Sequence, residues 1–252
     1  MWVQMAGQIA PRPTAAAKAA KDGVRQRVAT LGGARCVVLE RQVLDADGAD
    51  ATPAASLACV LAHGADVLGD DLFSLAHRLA KALPPGLRFV LPEGGREVRR
   101  AKLKHKPAIP EQPWQRAPRR WFSSAGDVDD AVDRFARAAS AAADGAALVV
   151  GGFSQGAVVA AAAAGRLAPA GVVLLAPPAF DDAWIAPPAG ARALVAVGAS
   201  DDVAPRRHGE RIATLLANGG CDAELVVHGG GHEVTLAVVD DVAAFLRRAL
   251  PP

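Results

Sequence analysis

The sequence predicts an α/β fold, in which a mostly parallel central sheet is covered by helices on both faces. Two observations support this fold class. From about residue 34 onward, short apolar runs alternate with longer helical segments, as they do when strands and helices alternate along a chain. In the middle of this alternation, a glycine-flanked serine stands between an apolar run and a helical segment. The individual elements follow from the same patterns.

Seven apolar runs are bounded by turn residues and have the length of buried strands. The predicted strands are Arg35–Glu40, Leu57–Ala62, Leu87–Leu91, Ala146–Gly151, Gly171–Ala176, Ala193–Gly198 and Ala223–Val227. Five longer segments without internal proline are predicted to be helices. They are Asp71–Leu83, Asp127–Ala143, Gln155–Gly165, Arg206–Ala217 and Val234–Leu250.

The helix predicted at Asp127–Ala143 shows how the periodicity is interpreted. Val128, Val132 and Phe135 recur at helical spacing and form one apolar stripe. Asp127 stands at the N-cap position, where an acidic side chain complements the helix dipole. The segment is therefore predicted to pack one face against the sheet.

The composition indicates a single globular domain. Of the 252 residues, 51% are hydrophobic and 21% are charged, which excludes a disordered chain. No internal repeat or long linker divides the sequence. We expect one domain at residues 34–252, preceded by a poorly ordered N-terminal arm at residues 1–33, which is left out of the fold prediction.

The irregular stretch 92–121 is interpreted as a basic insertion in this domain. Between Arg96 and Arg120 the chain carries nine Lys and Arg residues against two Glu, a net charge of +7 that leaves −5 for the remainder. A solvated loop, a lid over a binding site and a nucleic-acid patch are the three interpretations. No nucleic-acid motif accompanies the charge, so no nucleic-acid partner is expected.

The cysteines indicate a reducing compartment. Cys36, Cys59 and Cys221 are odd in number and widely spaced, which excludes a disulfide framework or a zinc cluster and predicts a cytoplasmic protein. No apolar stretch is long enough for a transmembrane segment, and the N-terminus lacks the pattern of a secretory signal. No metal and no cofactor are expected, and the sequence does not fix the oligomeric state.

The most informative motif is Gly152-Phe153-Ser154-Gln155-Gly156, which lies between a predicted strand and a predicted helix. In this context G-x-S-x-G is typical of the nucleophile elbow of α/β-hydrolases. The two glycines omit side chains that would collide with the neighbouring strand and helix. The motif therefore predicts that Ser154 is a nucleophile exposed at the tip of the sheet.

A nucleophilic serine needs a base and an acid, which in this fold follow it in the order acid, then histidine, at the ends of later strands. Asp201 and Asp202 follow the strand Ala193–Gly198, and either can be the acid. His228 and His232 follow the last strand, and the Gly-rich loop around His232 favours that residue as the base. Three glycines between the two histidines preclude the helix that a metal-binding histidine pair would need.

Catalysis by such a serine also requires hydrogen-bond donors for the developing oxyanion. One predicted donor is the backbone N–H of Gln155, the residue after the nucleophile. The other is the backbone N–H of Ala65, because Gly64 lets the loop after Leu57–Ala62 turn beneath a substrate carbonyl. His63 is predicted to be structural and to bond within this turn.

These residues together resemble the phospholipase/carboxylesterase family of α/β-hydrolases, which includes small carboxylesterases and acyl-protein thioesterases. The similar stretches are Leu61–Gly64, Asp71–Ala76, Arg88–Pro92, Gly151–Gly156, Gly198–Pro205 and Gly231–Val234. The resemblance implies Asp201 as the acid, His232 as the base, and Ala65 and Gln155 as the oxyanion donors.

The resulting hypothesis is a serine carboxylesterase or thioesterase that cleaves short- to medium-chain acyl esters or thioesters through an acyl-enzyme. Its partner would be a small-molecule substrate. The predicted substrate-binding residues are apolar side chains in loops over the strand ends: Leu68, Phe73, Trp121, Phe180 and Trp184. The alternative is a hydrolase-fold binding or scaffold protein that recruits an acidic partner through the basic insertion.

Overall fold

The computed structural model describes residues 23–67, 72–98 and 118–250. The described chain forms an eight-stranded sheet. Its strands are β1 (Val24–Leu31), β2 (Ala34–Arg41), β3 (Leu57–Ala62), β4 (Leu87–Pro92), β7 (Ala147–Phe153), β8 (Gly171–Leu175), β9 (Arg192–Gly198) and β10 (Asp222–His228). Their order across the sheet is β1-β2-β4-β3-β7-β8-β9-β10. Pairing is antiparallel at β1–β2 and β2–β4 and parallel elsewhere. The predicted α/β class with a mostly parallel sheet is confirmed.

Five helices cover the two faces of this sheet: α1 (Phe73–Ala82), α2 (Val128–Ala143), α3 (Gln155–Leu167), α4 (Arg206–Asn218) and α5 (Leu236–Ala249). The apolar stripes of α2, α3 and α4 pack on one face, and those of α1 and α5 pack on the other. Because successive strand residues point to opposite faces, Val150 joins the first core and Val149 the second. All seven predicted strands and all five predicted helices are present, with ends within two residues of the predicted ones.

The N-terminal boundary predicted at residue 33 is wrong for the residues just before it. Val24–Leu31 is the edge strand β1, which pairs along its whole length with β2. The two strands are joined by Gly32 and Gly33, whose φ angles of 53° and 81° suit a two-residue hairpin loop. The domain therefore includes this hairpin. The rest of the predicted arm, residues 1–22, lies outside the described residues.

The two described ends of the basic insertion meet in a short antiparallel ribbon. Its strands are β5 (Arg96–Glu97) and β6 (Arg119–Arg120), with Arg96 opposite Arg120. Residues 99–117, which contain most of the basic charge, lie outside the described residues. The lid and solvated-loop interpretations therefore remain hypotheses.

No helix in the described part of the chain combines the length and the apolar character that a membrane crossing requires. The three cysteines are free and buried. Burial raises the pKa of the Cys36 thiol to about 11 and that of the Cys59 thiol to about 12. Both thiols are therefore protonated at neutral pH and are core side chains rather than nucleophiles.

Candidate active site

Ser154 lies in a tight turn between the end of β7 and the start of α3. Its φ of 52° and ψ of −118° are unusual for a residue with a side chain. Its backbone N–H donates to the carbonyl of Leu175 on the neighbouring strand at 2.9 Å, which fixes the turn on the sheet. The predicted strand–turn–helix context of the motif is therefore present.

The two glycines of the motif make this turn possible. A Cβ at Gly152 would lie 2.4 Å from the carbonyl carbon of Gly156. A Cβ at Gly156 would lie 2.0 Å from the carbonyl oxygen of Ala62, at the end of β3. Such contacts are far inside van der Waals distance, so any larger residue would push α3 away from the sheet. The elbow needs glycine on both sides for steric reasons.

A hydrogen-bonded chain of three side chains starts at Ser154. The Oγ of Ser154 lies 3.0 Å from Nε2 of His232, and Nδ1 of the same imidazole lies 2.8 Å from Oδ2 of Asp201. The residues come from the ends of β7, β9 and β10, which are distant in sequence but share one edge of the sheet. The imidazole is thus placed to accept the serine proton on one side while the carboxylate holds it on the other.

The Asp201 carboxylate is fixed by its own loop. Its side chain is fully buried, and Oδ1 accepts hydrogen bonds from the backbone N–H groups of Val203 at 2.9 Å and Ala204 at 2.7 Å. These two bonds leave Oδ2 directed at His232. The carboxylate is therefore oriented before any substrate arrives, which is the role of the third member of such a chain.

Backbone contacts hold the acid loop and the histidine loop together. The N–H of Ala199 donates to the carbonyl of His228 at 2.7 Å, and the N–H of Ser200 donates to the carbonyl of Gly230 at 3.1 Å. Gly198 makes this approach possible, because a Cβ there would lie 2.3 Å from the carbonyl oxygen of Gly231. The spacing between acid and base is consequently set by main-chain packing.

The two alternatives that the sequence left open occupy other environments. Asp202 is exposed to solvent. His228 is buried at the end of β10, where its Nδ1 accepts a hydrogen bond from the backbone N–H of Gly230 at 3.2 Å. His228 thus shapes the loop that carries His232. The geometry brings Asp201 and His232, rather than Asp202 and His228, to the serine.

The loop that contains Ala65 lies beside the start of α3. A Cβ at Gly156 would meet the carbonyl oxygens of both Ala62 and His63, so this loop and the helix N-terminus touch. The first N–H groups of a helix have no intrahelical partner and favour negative charge. The backbone N–H of Gln155 is one of them, and the predicted oxyanion role of Ala65 and Gln155 remains a proposal.

This arrangement of a strained serine, a histidine and a buried aspartate is chemically suited to nucleophilic acyl transfer. The family model described as "Serine hydrolase (FSH1)" matches residues 59–235, which is more than two thirds of the chain and includes Ser154, Asp201 and His232. The chain belongs to the FSH1 serine hydrolase family. The predicted resemblance to α/β-hydrolase esterases and thioesterases is confirmed at this level.

Solved structures share the fold of this FSH1-family hydrolase. A carboxylesterase from Mesorhizobium loti is 20% identical with a TM-score of 0.62, and the match covers 88% of this chain and 98% of that one. Acyl-protein thioesterase 2 from Zea mays is 20% identical with a TM-score of 0.56, covering 79% and 96%. TT1662 from Thermus thermophilus is 19% identical with a TM-score of 0.63, covering 91% and 99%. A search of curated proteins by sequence found no match.

The predicted substrate-binding residues of the hydrolase fall into three groups. Leu68 lies outside the described residues. Phe73 and Trp121 are buried in the two cores on either side of the sheet, so the interpretation of both as pocket walls is wrong. Phe180 and Trp184 are half-buried and pack against the core that contains α3, where they remain candidates. Apolar loop residues cannot be divided between core and pocket by sequence, because both environments favour aromatic side chains.

Sequence reasoning missed one residue that contacts the candidate site of this hydrolase: Phe153, which packs on His232. It assigned Trp121 to a substrate wall and missed its hydrogen bonds to the Ala65 loop and to Gln155. Phe153 could have been found, since it stands directly beside the proposed nucleophile. No sequence signal indicates the contacts of Trp121, which depend on how the insertion returns to the sheet.

Proposed function

We propose that this FSH1-family protein is a serine carboxylesterase or thioesterase that hydrolyses short- to medium-chain acyl esters or thioesters through an acyl-enzyme. The observation that carries the proposal is the hydrogen-bonded chain from Ser154 through His232 to Asp201. The serine hydrolase family and the carboxylesterase and thioesterase neighbours of the fold support it.

In the proposed reaction, Oγ of Ser154 attacks the carbonyl carbon of the acyl group while Nε2 of His232 takes the hydroxyl proton. Asp201 stabilises the imidazolium that forms. The negative charge of the tetrahedral intermediate falls on the former carbonyl oxygen, which would receive hydrogen bonds from the backbone N–H groups of Ala65 and Gln155. The protonated His232 then gives its proton to the leaving alcohol or thiol, and the acyl group stays on Ser154.

Water completes the cycle by the same route in reverse. His232 removes a proton from water, the hydroxide attacks the acyl carbon, and collapse of the second tetrahedral intermediate returns the proton to Ser154. Each step needs only the three side chains and the backbone donors. The proposed cellular location, the cytoplasm, rests on the three unpaired cysteines.

The proposal is tested by labelling with a fluorescent fluorophosphonate and by a panel of p-nitrophenyl esters of increasing acyl length with an acyl-thioester beside them. We expect the wild-type protein to be labelled and to hydrolyse part of the panel. Ser154→Ala should remove labelling and reduce kcat by about 10⁴-fold or more. Asp202→Asn, which alters an exposed carboxylate next to the acid, is the matched control and should retain activity.

A wild-type protein that neither reacts with the fluorophosphonate nor hydrolyses any ester or thioester would refute the proposal. Hydrolysis that persists at the wild-type rate in Ser154→Ala would refute the assignment of the nucleophile. The ratio of ester to thioester rates decides between the two activities. The position of the maximum along the acyl series measures the length of the acyl site.

A further inference from the structure

We propose that residues 118–122, here called the strap, form a positioning element that holds the two halves of the oxyanion hole in register. This inference rests on the proposed function, because it concerns the geometry of the same acyl-transfer site. The central residue is Trp121, with Arg120 as a second anchor. Within the described residues, no hydrogen bond, ion pair or ring contact joins either side chain to Ser154, Asp201 or His232, so both would act through the backbone donors Ala65 and Gln155.

Trp121 connects the Ala65 loop to the start of α3 with two hydrogen bonds. Its indole Nε1–H donates to the carbonyl of His63 at 3.0 Å, and its backbone N–H donates to Oε1 of Gln155 at 2.8 Å. The side-chain amide of Gln155 in turn donates to the carbonyl of Phe122 at 2.9 Å. Gln155, which would supply one oxyanion donor, and the loop that carries Ala65, which would supply the other, are therefore both bonded to one short segment.

Trp121 is itself held rigidly. Its side chain is almost fully buried, and its ring packs edge-on against Phe135 of α2 at a centroid distance of 5.8 Å. The indole ring also lies 5.3 Å from the imidazole of His63. A buried ring in contact on two sides has little freedom. The ring can therefore hold the Ala65 loop and the N-terminus of α3 at fixed positions relative to α2.

Arg120 provides a second link to the Ala65 loop. Its Nε and one terminal nitrogen each lie 2.6 Å from an oxygen of Asp66, which is a bidentate ion pair. The N–H of the neighbouring Arg119 donates to the carbonyl of Val67 at 2.8 Å. Asp66 directly follows Ala65 and has a φ of 60°, so the pair fixes a turn whose backbone conformation is unusual.

His63 ties the same loop to the chain just before β5. Its Nε2 accepts a hydrogen bond from the backbone N–H of Gly94 at 2.9 Å, and its Nδ1 lies 2.6 Å from the carbonyl of Gly64. Because Nε2 accepts, Nδ1 carries the proton and donates to that carbonyl. The loop is thus fixed at His63, Asp66 and Val67, on both sides of the proposed donor.

A donor that shifts by a fraction of an ångström loses transition-state stabilisation without losing substrate affinity. The strap therefore predicts a specific kinetic signature. Variants that loosen it should lower kcat and leave KM nearly unchanged. They should slow phosphonylation of Ser154 to the same extent, since that reaction also places a charged oxygen in the hole.

The test compares four single variants and one double variant of the full chain with wild type, using p-nitrophenyl acetate and a fluorophosphonate. Trp121→Phe removes the indole donor and keeps an aromatic ring, and should lower kcat about tenfold, part of the effect of losing a whole oxyanion donor. Arg120→Gln and Asp66→Asn should each lower kcat about threefold to fivefold, and the double variant should fall no further because both break one pair.

Arg96→Gln is the matched control. Arg96 lies opposite Arg120 on the ribbon and pairs with Asp127 instead of the loop. Its kcat, KM and phosphonylation rate should stay within about twofold of wild type, since an exposed ion pair contributes little. Thermal unfolding of each variant establishes that it is folded. If Trp121→Phe unfolds, the inference is tested by comparing Arg120→Gln and Asp66→Asn with wild type and with Arg96→Gln.

Folded Trp121→Phe and Arg120→Gln with wild-type kcat would overturn the inference while the proposed function stands. A raised KM with unchanged kcat would also overturn it, because the strap would then act in substrate binding. Lower kcat with parallel loss of phosphonylation, absent from Arg96→Gln, would support it. A wild-type protein inert to both reagents would remove the proposed function, and the inference with it.

Discussion

The ring of Phe153 packs on the imidazole of His232, with the ring centroids 4.8 Å apart and the planes tilted by 41°. Phe153 immediately precedes the proposed nucleophile, so the turn that exposes Ser154 also brings an aromatic ring to the proposed base. This contact restricts rotation of the imidazole.

Replacement of Phe153 by Leu should reduce kcat/KM about threefold to tenfold, since an aromatic pair contributes about 0.5–1.5 kcal/mol. Phe245→Leu in α5 is the control. It shortens a buried phenylalanine away from the site, so it should lower stability and leave kcat/KM unchanged. A wild-type kcat/KM in Phe153→Leu would contradict this role.

A second prediction concerns the glycine between the acid loop and the histidine loop. A methyl group at Gly198 would collide with the carbonyl oxygens of Gly230 and Gly231 and force the two loops apart. Gly198→Ala should therefore lower kcat on the order of a hundredfold, through the lost orientation of His232 by Asp201. Gly229→Ala, in the same region but with open space around its Cβ position, should be nearly neutral. Equal activities of the two variants would rule out this packing role.

A third prediction uses the buried thiols. Burial holds the pKa of Cys36 at about 11 and that of Cys59 at about 12, so the reactive thiolate is scarce below about pH 9. Native protein treated with iodoacetamide at about pH 8 should keep its activity, and mass spectrometry should find these two thiols unmodified. The urea-unfolded chain should be alkylated at all three cysteines. Loss of activity with modification of native Cys36 or Cys59 would be inconsistent with the buried environment.

A fourth prediction concerns stability against acid. Burial, with further contributions from Arg207 and Arg211, lowers the pKa of His208 below its ordinary value of 6.5. Its Nδ1 is buried and has no hydrogen-bond partner among the described residues. As the pH falls through 6.5, the unfolded chain binds a proton that the folded protein still excludes, so folding stability declines until the lower folded pKa is passed.

His208→Gln should remove this contribution. Urea unfolding at about pH 7.5 and pH 5.5 should show a smaller loss of free energy of unfolding for the variant than for wild type. Other titrating groups affect wild type and variant alike, so their effects cancel when the two losses of unfolding free energy are compared. Equal losses would show that His208 takes up its proton as readily in the folded protein as in the unfolded chain.

The sequence predicted the sheet and its helices because these elements carry strong local patterns. Continuous apolar runs mark the parallel strands, and helical apolar stripes mark the five helices. Strand β1 was missed because Arg25, Gln26 and Arg27 weaken its apolar pattern, as expected at a sheet edge. Its best local signal was the Gly32-Gly33 pair, which predicts a hairpin between flanking strands.

The candidate site likewise contains residues that the sequence predicts and contacts that it does not. Ser154, Asp201 and His232 could be predicted because each follows a recognisable strand in the order that the fold demands. The contacts of Trp121 and Arg120 could not, because the partners are more than thirty residues away and meet only after the insertion returns to the sheet. Trp121 illustrates the difference. The sequence identifies it only as an aromatic residue in a loop. In the structure it is buried and hydrogen-bonds both the Ala65 loop and Gln155.

Strand β8 supplies none of the three hydrogen-bonded side chains, yet it lies between β7 and β9, which carry the hydroxyl and the carboxylate. Adjacent strands are about 4.8 Å apart, so the ends of β7 and β9 are separated by roughly 10 Å. An imidazole, with nitrogens on opposite edges, bridges the remaining gap with bonds of 3.0 and 2.8 Å. The strand order thus sets the distance between the hydroxyl of Ser154 and the carboxylate of Asp201. With β7 and β9 adjacent, the carboxylate would crowd the hydroxyl and leave no room for a proton acceptor between them.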